Sequence, residues 1–270
     1  MNYIGSKYKL SDYISKTILS VVGNNLSNKV FCDLFAGTGI VGRNFKNKVH
    51  KVISNDLEFY SFVLNKNYIE NHHPIPDRQK FIEILNNIEI SEGIIYKNYC
   101  IGSGSKRQYF SDENGKKIDS IRQQIEKWKN NSIINDNLYY FLLASLLESA
   151  DKVANTASVY GAFLKHLKKT AQKQLILEPA EFSINDNDHL VFNQDSNKLI
   201  KKIEGDILYL DPPYNAKSSE IIYKNSYKHS SWLSLMHSRV DFAKRLHSES
   251  APCAIAIDEN EQENLGQLLN

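Results

Sequence analysis

The sequence is poor in cysteine, and its three cysteines, Cys32, Cys100 and Cys253, lie far apart. They form no Cys-x-x-Cys pair, which argues against a disulfide scaffold and favours a reducing compartment. Histidine and cysteine also lack the spacing of a metal site. No apolar run approaches the roughly 18 residues that a membrane span needs. The opening MNYIGSKYKL is too polar for a signal peptide. These absences predict a soluble cytoplasmic protein without a metal.

An excess of charge of one sign is lacking as well. The formal net charge is only +2 over 270 residues, so a surface that binds a polyanion must arise from local clusters. The chain has 41% hydrophobic and 24% charged residues, which is ordinary for a globular protein. This composition supports a sizeable core and one or two domains.

Short apolar strands that end at an acidic residue recur in the two outer parts of the chain. They are KVFCDLF, HKVISNDLEF, HLVFNQDS, GDILYLDPPY and APCAIAIDENE. Helical patterns lie between the first strands, in GIVGRNFK, and before them, in LSDYISKTILSVV. The alternation of strand and helix predicts an α/β fold with a doubly wound parallel sheet.

The middle of the chain, from about residue 72 to 185, has no such alternation. It contains a basic loop that leads into a helix, SKRQYFSDENGKKIDSIRQQIEKW, and the strongly helical NLYYFLLASLLESADKVANT. We interpret 72–185 as an inserted, mainly helical domain. The insert divides one α/β domain into the parts 1–71 and 186–270.

A glycine motif, GTGIVG, begins at Gly37, and Asp56 follows it at nearly the spacing of a dinucleotide-binding fold. Gly37 and Gly39 let a ligand approach the backbone, and Asp56 can bind two ribose hydroxyls. A nicotinamide dehydrogenase and a plain structural turn are both possible interpretations of the motif alone. Asp33 and Phe35 precede the glycines, where a nicotinamide loop keeps small residues. An acid there suits a ligand that has a cationic amino-acid end in place of phosphates.

Three motifs together resemble one group of enzymes. DLFAGTG resembles the cofactor loop of the class I methyltransferases, whose methyl donor is S-adenosyl-L-methionine. DPPY, which begins at Asp211, resembles the catalytic motif of the methyltransferases that modify adenine N6 in DNA. NYIGSKYKL resembles the opening motif of the Dam-like adenine methyltransferases, which place a DNA-recognition domain between the cofactor half and DPPY. The resemblance covers most of the chain.

The resemblance implies a Rossmann-like class I methyltransferase sheet with an inserted target-recognition domain. It also implies the transfer of a methyl group from S-adenosylmethionine to adenine N6 in duplex DNA, within a restriction-modification system. A restriction endonuclease that cuts the same site is then an expected partner. The alternatives are a methyltransferase that acts on adenine N6 in RNA, and a truncated, non-catalytic DNA-binding or partner subunit.

The DPPY corner supplies the expected catalytic residues. Asp211 and the carbonyl of Pro212 can accept hydrogen bonds from the amino group of adenine, whose nitrogen is a poor nucleophile. Pro213 makes the corner rigid, and Tyr214 offers a flat face on which a base can stack. A base inside a duplex must be flipped out to reach this corner. A simple turn after a strand is the structural alternative for the motif alone.

The resemblance also implies a set of cofactor-binding residues. They are Tyr3, Lys7, Asp33, Phe35, Gly37, Gly39, Asp56, Asp195 and Asp211. Tyr3 and Lys7 match the opening motif, and Asp195 matches the acid that accepts a hydrogen bond from the cofactor's adenine amine. A surface lysine is the alternative for Lys7, and a solvated strand end is the alternative for Asp195.

Basic and aromatic residues are interleaved in the insert, a pattern that suits contacts to DNA. The predicted DNA-binding residues are Lys106, Arg107, Tyr109, Lys116, Lys117 and Arg122. A second basic group consists of Lys165, Lys168, Lys169 and Lys173. The segment GSGSKRQYF is the stronger candidate, because a flexible glycine loop can carry its cations into a groove. For any single lysine, a solvated helix face is the simpler interpretation.

The last part of the chain departs from the Dam-like pattern. The residues after DPPY resemble the modification subunits of type III restriction systems, and His229, Ser230 and Trp232 are candidates for the target-base pocket. The chain ends at Asn270, shortly after its last predicted strand, where the fold requires further strands. Three interpretations follow: the sequence is truncated, another chain completes the sheet, or the protein is a defective remnant. An incomplete sheet edge exposes backbone hydrogen-bonding groups and invites association.

Overall fold

The computed structural model describes residues 7–156, 162–211 and 253–255. The chain divides into two compact units, which are described separately. One unit is 73–184, and the described part of the other is 7–72 with 185–211 and 253–255. The predicted insert, 72–185, differs from the first unit by one residue at each end. Several predictions lie outside the described residues: those for Tyr3, Pro212, Pro213, Tyr214, His229, Ser230, Trp232 and the incomplete sheet edge.

The described part of the discontinuous unit contains five strands, one in each of the five predicted segments. They are β1 (Val30–Asp33), β2 (Lys51–Asn55), β3 (Leu190–Phe192), β4 (Ile207–Leu210) and β5 (Cys253–Ile255). The strand order is β3-β2-β1-β4-β5, and all four pairings are parallel. The predicted α/β class with a parallel sheet is therefore confirmed.

Alternating side chains of the strands pack on the two faces of this sheet, as the pleat of a strand requires. One face presents Phe31, Val52, Ile207 and Tyr209, and the other presents Cys32, Ile53, Leu208 and Leu210. Helices α1 (Ser11–Val22) and α2 (Ile40–Phe45) cover the first face together with a π-helical turn (Lys66–Glu70) that follows α3 (Phe59–Asn65). Helix α8 (Ser196–Leu199) packs on the second face. A parallel sheet covered on both faces explains why its strands are almost wholly apolar.

The described residues of the other unit, 73–156 and 162–184, contain four α-helices. They are α4 (Arg78–Asn86), α5 (Ile94–Tyr99), α6 (Asp112–Asn130) and α7 (Asp136–Val153). Helices α6 and α7 start at side-chain caps, because Ser111 accepts a hydrogen bond from the amide of Asn114 and Asn135 accepts one from Leu138. The predicted mainly helical character of this region is confirmed. Within the described ranges, no helix combines the length and hydropathy that crossing a membrane requires.

Asparagine side chains hold the described segment 173–177 in place. The carboxamide of Asn86 donates to the carbonyl of Leu177 at 2.9 Å and accepts from its amide at 2.8 Å. The buried Asn114 similarly donates to Lys173 at 2.9 Å and accepts from Leu175 at 2.9 Å. A carboxamide has the same kinds of donor and acceptor as a peptide group. Each asparagine side chain therefore pairs with the backbone of this segment as a neighbouring strand would.

Candidate active site

The strand order of the sheet reverses between β1 and β4. The chain runs from β1 outward to β2 and β3 on one side, whereas β4 and β5 lie on the other side. Ligands of open parallel sheets bind at the carboxyl ends of the strands where such a reversal occurs. Asp33 is the last residue of β1, and Asp211 directly follows β4. The two predicted acids therefore flank the crevice in which this architecture binds ligands.

Asp33 is a buried acid at this edge, with 1% of its surface exposed. Its Oδ1 accepts a hydrogen bond from the amide of Phe35 at 3.3 Å. Burial raises the pKa of Asp33 well above its ordinary value, and the nearby Asp211 carboxylate raises it further. Bringing acids together in this way is costly in free energy. A cation beside the two acids would lower that cost.

Asp56 holds the glycine loop from the neighbouring strand. It follows β2, and its two carboxylate oxygens accept hydrogen bonds from the amides of Gly37 at 2.8 Å and Glu58 at 2.9 Å. Burial raises the pKa of Asp56, whereas these amide bonds lower it. The predicted cofactor residues Gly37 and Asp56 are thus in direct contact.

Asn65 clamps the same loop from α3 and was not identified from the sequence. Its Nδ2 donates to the carbonyl of Gly37 at 3.0 Å, and its Oδ1 accepts from the hydroxyl of Ser54 at 2.8 Å. Gly39 has a φ of 74°, and a Cβ on it would lie 2.5 Å from Oδ1 of Asn65. Glycine is therefore required at position 39 by conformation and by close approach. The burial of Asn65 and its contacts with Gly37 and Ser54 arise only when α3 packs beside the loop, so local sequence did not reveal them.

Lys7 forms an ion pair with Asp211. Its Nζ lies 2.9 Å from Oδ2, and the two side chains are only 12% and 14% exposed. Burial raises the pKa of Asp211, and Lys7 lowers it. The motif residue from the amino terminus thus lies beside the first residue of DPPY.

Asp195 lies after β3 and begins α8. Its Oδ1 accepts hydrogen bonds from the amides of Asn197 at 3.0 Å and Lys198 at 3.2 Å, which is a helix cap. This contact matches the turn interpretation of the sequence. A role toward a cofactor stays a prediction for this residue.

Asn55 is a second residue that sequence reasoning missed. It is fully buried, and its Nδ2 donates to the carbonyls of Leu34 at 3.2 Å and Gln194 at 3.1 Å. Its Oδ1 accepts from the amide of Gln194 at 3.1 Å. The hydroxyl of Ser196 also donates to Leu34, at 3.1 Å. These bonds tie the turn after β1 to the turn after β3.

The predicted DNA-binding residues of the helical unit fall into two groups. Lys106 and Arg107 are exposed on the loop before α6. The guanidinium of Arg107 lies 5.9 Å from the ring centroid of Tyr99, and Tyr99 packs edge-on against Tyr109 at 5.7 Å. This loop therefore exposes two cations to solvent, and the rings of Tyr99 and Tyr109 pack beneath it.

The three predicted residues on α6 are engaged within the unit. Lys116 pairs with Glu92 at 2.8 Å, and Arg122 pairs with Glu126 one turn along the helix. Lys117 is only 6% exposed, and its Nζ donates to the carbonyl of Asn86 at 2.6 Å. Burial argues against the predicted DNA contact of Lys117, because its ammonium group is directed into the unit.

The described residues contain no group of three or more His, Cys, Asp or Glu side chains that could hold a metal ion. Cys32 and Cys100 are free and buried, and burial is the main reason that the pKa of each is raised to about 12. Both thiols are therefore protonated at neutral pH and unreactive.

A protein-family model and several known proteins match this chain. Residues 3–265 match the family model described as D12 class N6 adenine-specific DNA methyltransferase. The chain is 63% identical over 217 residues to the type II methyltransferase M.NlaIII of Neisseria lactamica, an alignment that covers 80% of this chain and 65% of that protein. It is 42% identical over 228 residues to the type II methyltransferase M.FokI of Planomicrobium okeanokoites, covering 80% of this chain and 35% of that protein.

The chain also matches a protein of a type III system, as its sequence suggested, but at lower identity and over a shorter alignment. A probable type III restriction-modification Mod subunit of Haemophilus influenzae is 31% identical over 120 residues, covering 40% of this chain and 16% of that protein. The chain spans less than two thirds of the length of M.NlaIII and about a third of M.FokI. The family match nevertheless extends over nearly all of the chain. The chain therefore belongs to the D12 class of N6 adenine-specific DNA methyltransferases.

Proposed function

We propose that this protein transfers a methyl group from S-adenosyl-L-methionine to N6 of adenine at a specific site in duplex DNA. The observation that carries the proposal is the meeting of Asp33 and Asp211 at the reversal point of the sheet, with Lys7 paired to Asp211. Family membership supplies the reaction class. We place the enzyme in the cytoplasm, as the modification component of a restriction-modification system with an endonuclease that cuts the same site.

The residues of the crevice fit this methyl donor. The buried carboxylate of Asp33 is suited to a cationic amino-acid end. Gly37 has no side chain to block the backbone of the loop, and Gly39, with a φ of 74°, gives the loop its shape. Asp56 already uses both oxygens on backbone amides, and carboxylate oxygens have further lone pairs for ribose hydroxyls. Tyr3, Lys7, Phe35 and Asp195 complete the proposed binding set through the family resemblance of their motifs. When bound, S-adenosylmethionine supplies an activated methyl group on a positively charged sulfur.

Asp211 performs the main catalytic role in this proposal. Its carboxylate accepts a hydrogen bond from the amino group of the flipped adenine and draws the nitrogen lone pair out of the ring. The carbonyl of Pro212 accepts the second hydrogen bond, Pro213 stiffens the corner, and Tyr214 stacks on the base. Alignment of nitrogen, methyl carbon and sulfur then accounts for most of the rate enhancement. Since only an ionised Asp211 is a pure acceptor, the pKa of this residue sets the lower pH limit of the reaction.

Duplex DNA is the proposed substrate, and the helical unit is the proposed recognition domain. Lys106, Arg107 and Tyr109 are exposed or half-buried on one loop, which favours a contact with DNA. Lys116 and Arg122 already pair with carboxylates and have a smaller share in this proposal. We leave Lys117 out because it is buried.

The direct test is transfer of a labelled methyl group from S-adenosylmethionine to unmethylated duplex DNA, followed by digestion to nucleosides. We expect label in N6-methyladenosine with the wild-type chain and none with Asp211→Ala. Asp186→Ala, which removes an exposed carboxylate from the same unit, serves as the matched control and should keep full activity. Label found only with an RNA substrate would overturn the DNA assignment. Absence of transfer together with absence of cofactor binding would overturn the enzyme assignment.

A further inference from the structure

Asn155 joins two segments of the helical unit that are far apart in the sequence. It is fully buried, and its backbone amide donates to the carbonyl of Tyr109 at 2.7 Å. Its Nδ2 donates to the carbonyls of Gln108 and Leu164, each at 2.9 Å. Its Oδ1 accepts from the amide of Lys168 at 3.0 Å. One side chain thus fixes the loop before α6 against the chain around residue 165.

Aromatic and backbone contacts reinforce the same junction. The rings of Tyr109 and Phe163 lie 5.2 Å apart, centroid to centroid. Phe163 forms an isolated antiparallel bridge with Thr156, whose carbonyl accepts a hydrogen bond from Nζ of Lys168 at 3.0 Å. We call residues 105–109 and 163–169 together the paired-loop surface. Its two halves are held by packing and hydrogen bonds and form one surface.

The paired-loop surface is strongly basic although the whole chain is nearly neutral. Its twelve residues contain five lysines and arginines and no acid, whereas the chain as a whole has a formal net charge of +2. The exposed cations are Lys106, Arg107, Lys165 and Lys169. Among described residues, no carboxylate lies within ion-pair distance of these four cations, in contrast to Lys116 and Arg122. Their charge is therefore available to an external anion.

We propose that the paired-loop surface binds the phosphate backbone of duplex DNA and that Asn155 is the positioning residue that fixes its shape. The inference rests on the proposed function and specifies where the helical unit contacts its substrate. Lysine is a compact point charge that suits phosphate. Cations held in fixed positions before binding lose less conformational entropy when they meet successive phosphates. Each phosphate contact also releases counterions, which makes affinity depend on salt.

The first experiment removes two charges from the half of the surface that follows Asn155. The double variant Lys165→Gln/Lys169→Gln is compared with Lys80→Gln/Lys127→Gln, which removes two exposed lysines from helices of the same unit. Affinity for a short duplex is measured by fluorescence anisotropy over a series of potassium chloride concentrations. We expect the first variant to bind more weakly and to reduce the slope of log K against log [salt] by about 0.9 for each phosphate that is no longer neutralised. The control variant should keep the wild-type slope.

Equal effects of the two double variants would overturn the proposal, because they would show that only net charge matters. A surface variant that loses affinity for single-stranded RNA but keeps its affinity for duplex DNA would also overturn it. Neither double variant removes a buried group, so both are expected to fold.

The second experiment tests Asn155 itself. Asn155→Ala is compared with Asn86→Ala, which removes a carboxamide that bridges backbone segments of the same unit at Leu177. Both should lower the free energy of unfolding, but only Asn155→Ala should weaken duplex binding, severalfold at a temperature where both are folded. When Asn155→Ala is added to Lys165→Gln/Lys169→Gln, it should reduce duplex affinity by a smaller factor than it does in the wild-type chain. Fully additive losses of duplex affinity, or equal losses from both asparagine variants, would contradict the positioning role. If Asn155→Ala does not fold, the comparison of the two double lysine variants still tests whether the paired-loop surface binds DNA.

The outcome is separable from that of the proposed function. If the wild-type chain binds duplex DNA through these lysines but transfers no methyl group, the proposed function fails and the inference stands. If the wild-type chain methylates DNA and the lysine variant keeps its salt slope, the inference fails and the proposed function stands.

Discussion

The Nζ of Lys7 lies 2.9 Å from Oδ2 of Asp211, so a residue near the amino terminus is paired with the first residue of DPPY. Both side chains are largely buried, and burial alone raises the pKa of Asp211. Lys7 opposes this effect and favours the carboxylate. The pair therefore opposes the effect of burial, which favours the protonated acid, and stabilises the carboxylate of Asp211.

Replacement of Lys7 should change how methyl transfer depends on pH. Without the ammonium group, the pKa of Asp211 rises further. When the pH is lowered, Asp211 is then protonated earlier, and methyl transfer begins to fall at a higher pH than in the wild type. We expect Lys7→Gln to shift the acid limb of the profile of kcat against pH to higher pH, and Lys7→Arg to restore its wild-type position. Single-turnover rates over a pH series provide the measurement.

The control for this experiment is Lys9→Gln, an exposed lysine two residues away. Its profile should match that of the wild type. A Lys7→Gln enzyme that is slower at every pH with an unchanged acid limb would show that Lys7 does not act through the ionisation of Asp211.

Gly39→Ala should damage the cofactor loop. The new Cβ would lie 2.5 Å from Oδ1 of Asn65, and the residue would keep a φ of 74° that an L side chain disfavours. We expect Asn65 to be displaced and the affinity for S-adenosylmethionine to fall by about tenfold or more, equivalent to at least ~1.4 kcal/mol. Isothermal titration calorimetry measures this directly.

Gly23→Ala is the matched control, because Gly23 has a φ of 83° but no heavy atom within 4 Å of the position that a Cβ would take. It should lower the free energy of unfolding by about 1 kcal/mol through the backbone alone. Its cofactor affinity should equal that of the wild type. An equal loss of affinity in both variants would mean that the loop responds to stability and not to the Asn65 contact.

Lys117→Ala should destabilise the helical unit without weakening DNA binding. The buried Nζ of Lys117 donates to the carbonyls of Asn86 at 2.6 Å and Ile88 at 3.4 Å, and its removal leaves both without that donor. We expect a loss of about 1–3 kcal/mol in the free energy of unfolding, measured by urea denaturation. Duplex affinity per folded molecule should stay unchanged, whereas Lys106→Ala should show the reverse pattern. Weaker DNA binding by fully folded Lys117→Ala would contradict its structural role.

His189 should make the sheet unit sensitive to acid. Its Nδ1 accepts a hydrogen bond from the amide of Val52 at 3.0 Å, and burial is the main cause that lowers its pKa from 6.5 to about 4. The folded protein therefore holds this ring neutral at pH values where the unfolded chain protonates it. Stability is fully present above about 6.5 and is lost as pH falls toward 4, by up to about 3 kcal/mol.

Chemical denaturation at several pH values measures this dependence. His189→Gln should flatten the curve between those two values, while His73→Gln, an exposed histidine of the chain, should leave it unchanged. If both variants kept the wild-type pH dependence, the buried ring would not be its source.

Elements with local signals could be predicted from the sequence. An apolar run that ends at an acid predicts a strand wherever it occurs, and β1 and β4 form where KVFCDLF and GDILYLDPPY stand. Ser111 and Asn135 start their helices through hydrogen bonds to amides three residues ahead, so these boundaries also follow from neighbouring residues. The glycine motif and DPPY could be identified because each motif is contiguous.

Contacts between distant residues, in contrast, depend on how the whole chain packs. The strand order places Asp33 near Asp211, and the ion pair brings Lys7 to the same acid. No periodicity in the sequence distinguished Lys117, which is buried on carbonyl groups, from Lys106, which is exposed on a loop. Local signals act over a few residues through backbone conformation and capping. The partner of a long polar side chain depends on which segments pack around it, and that is settled only when the whole chain folds.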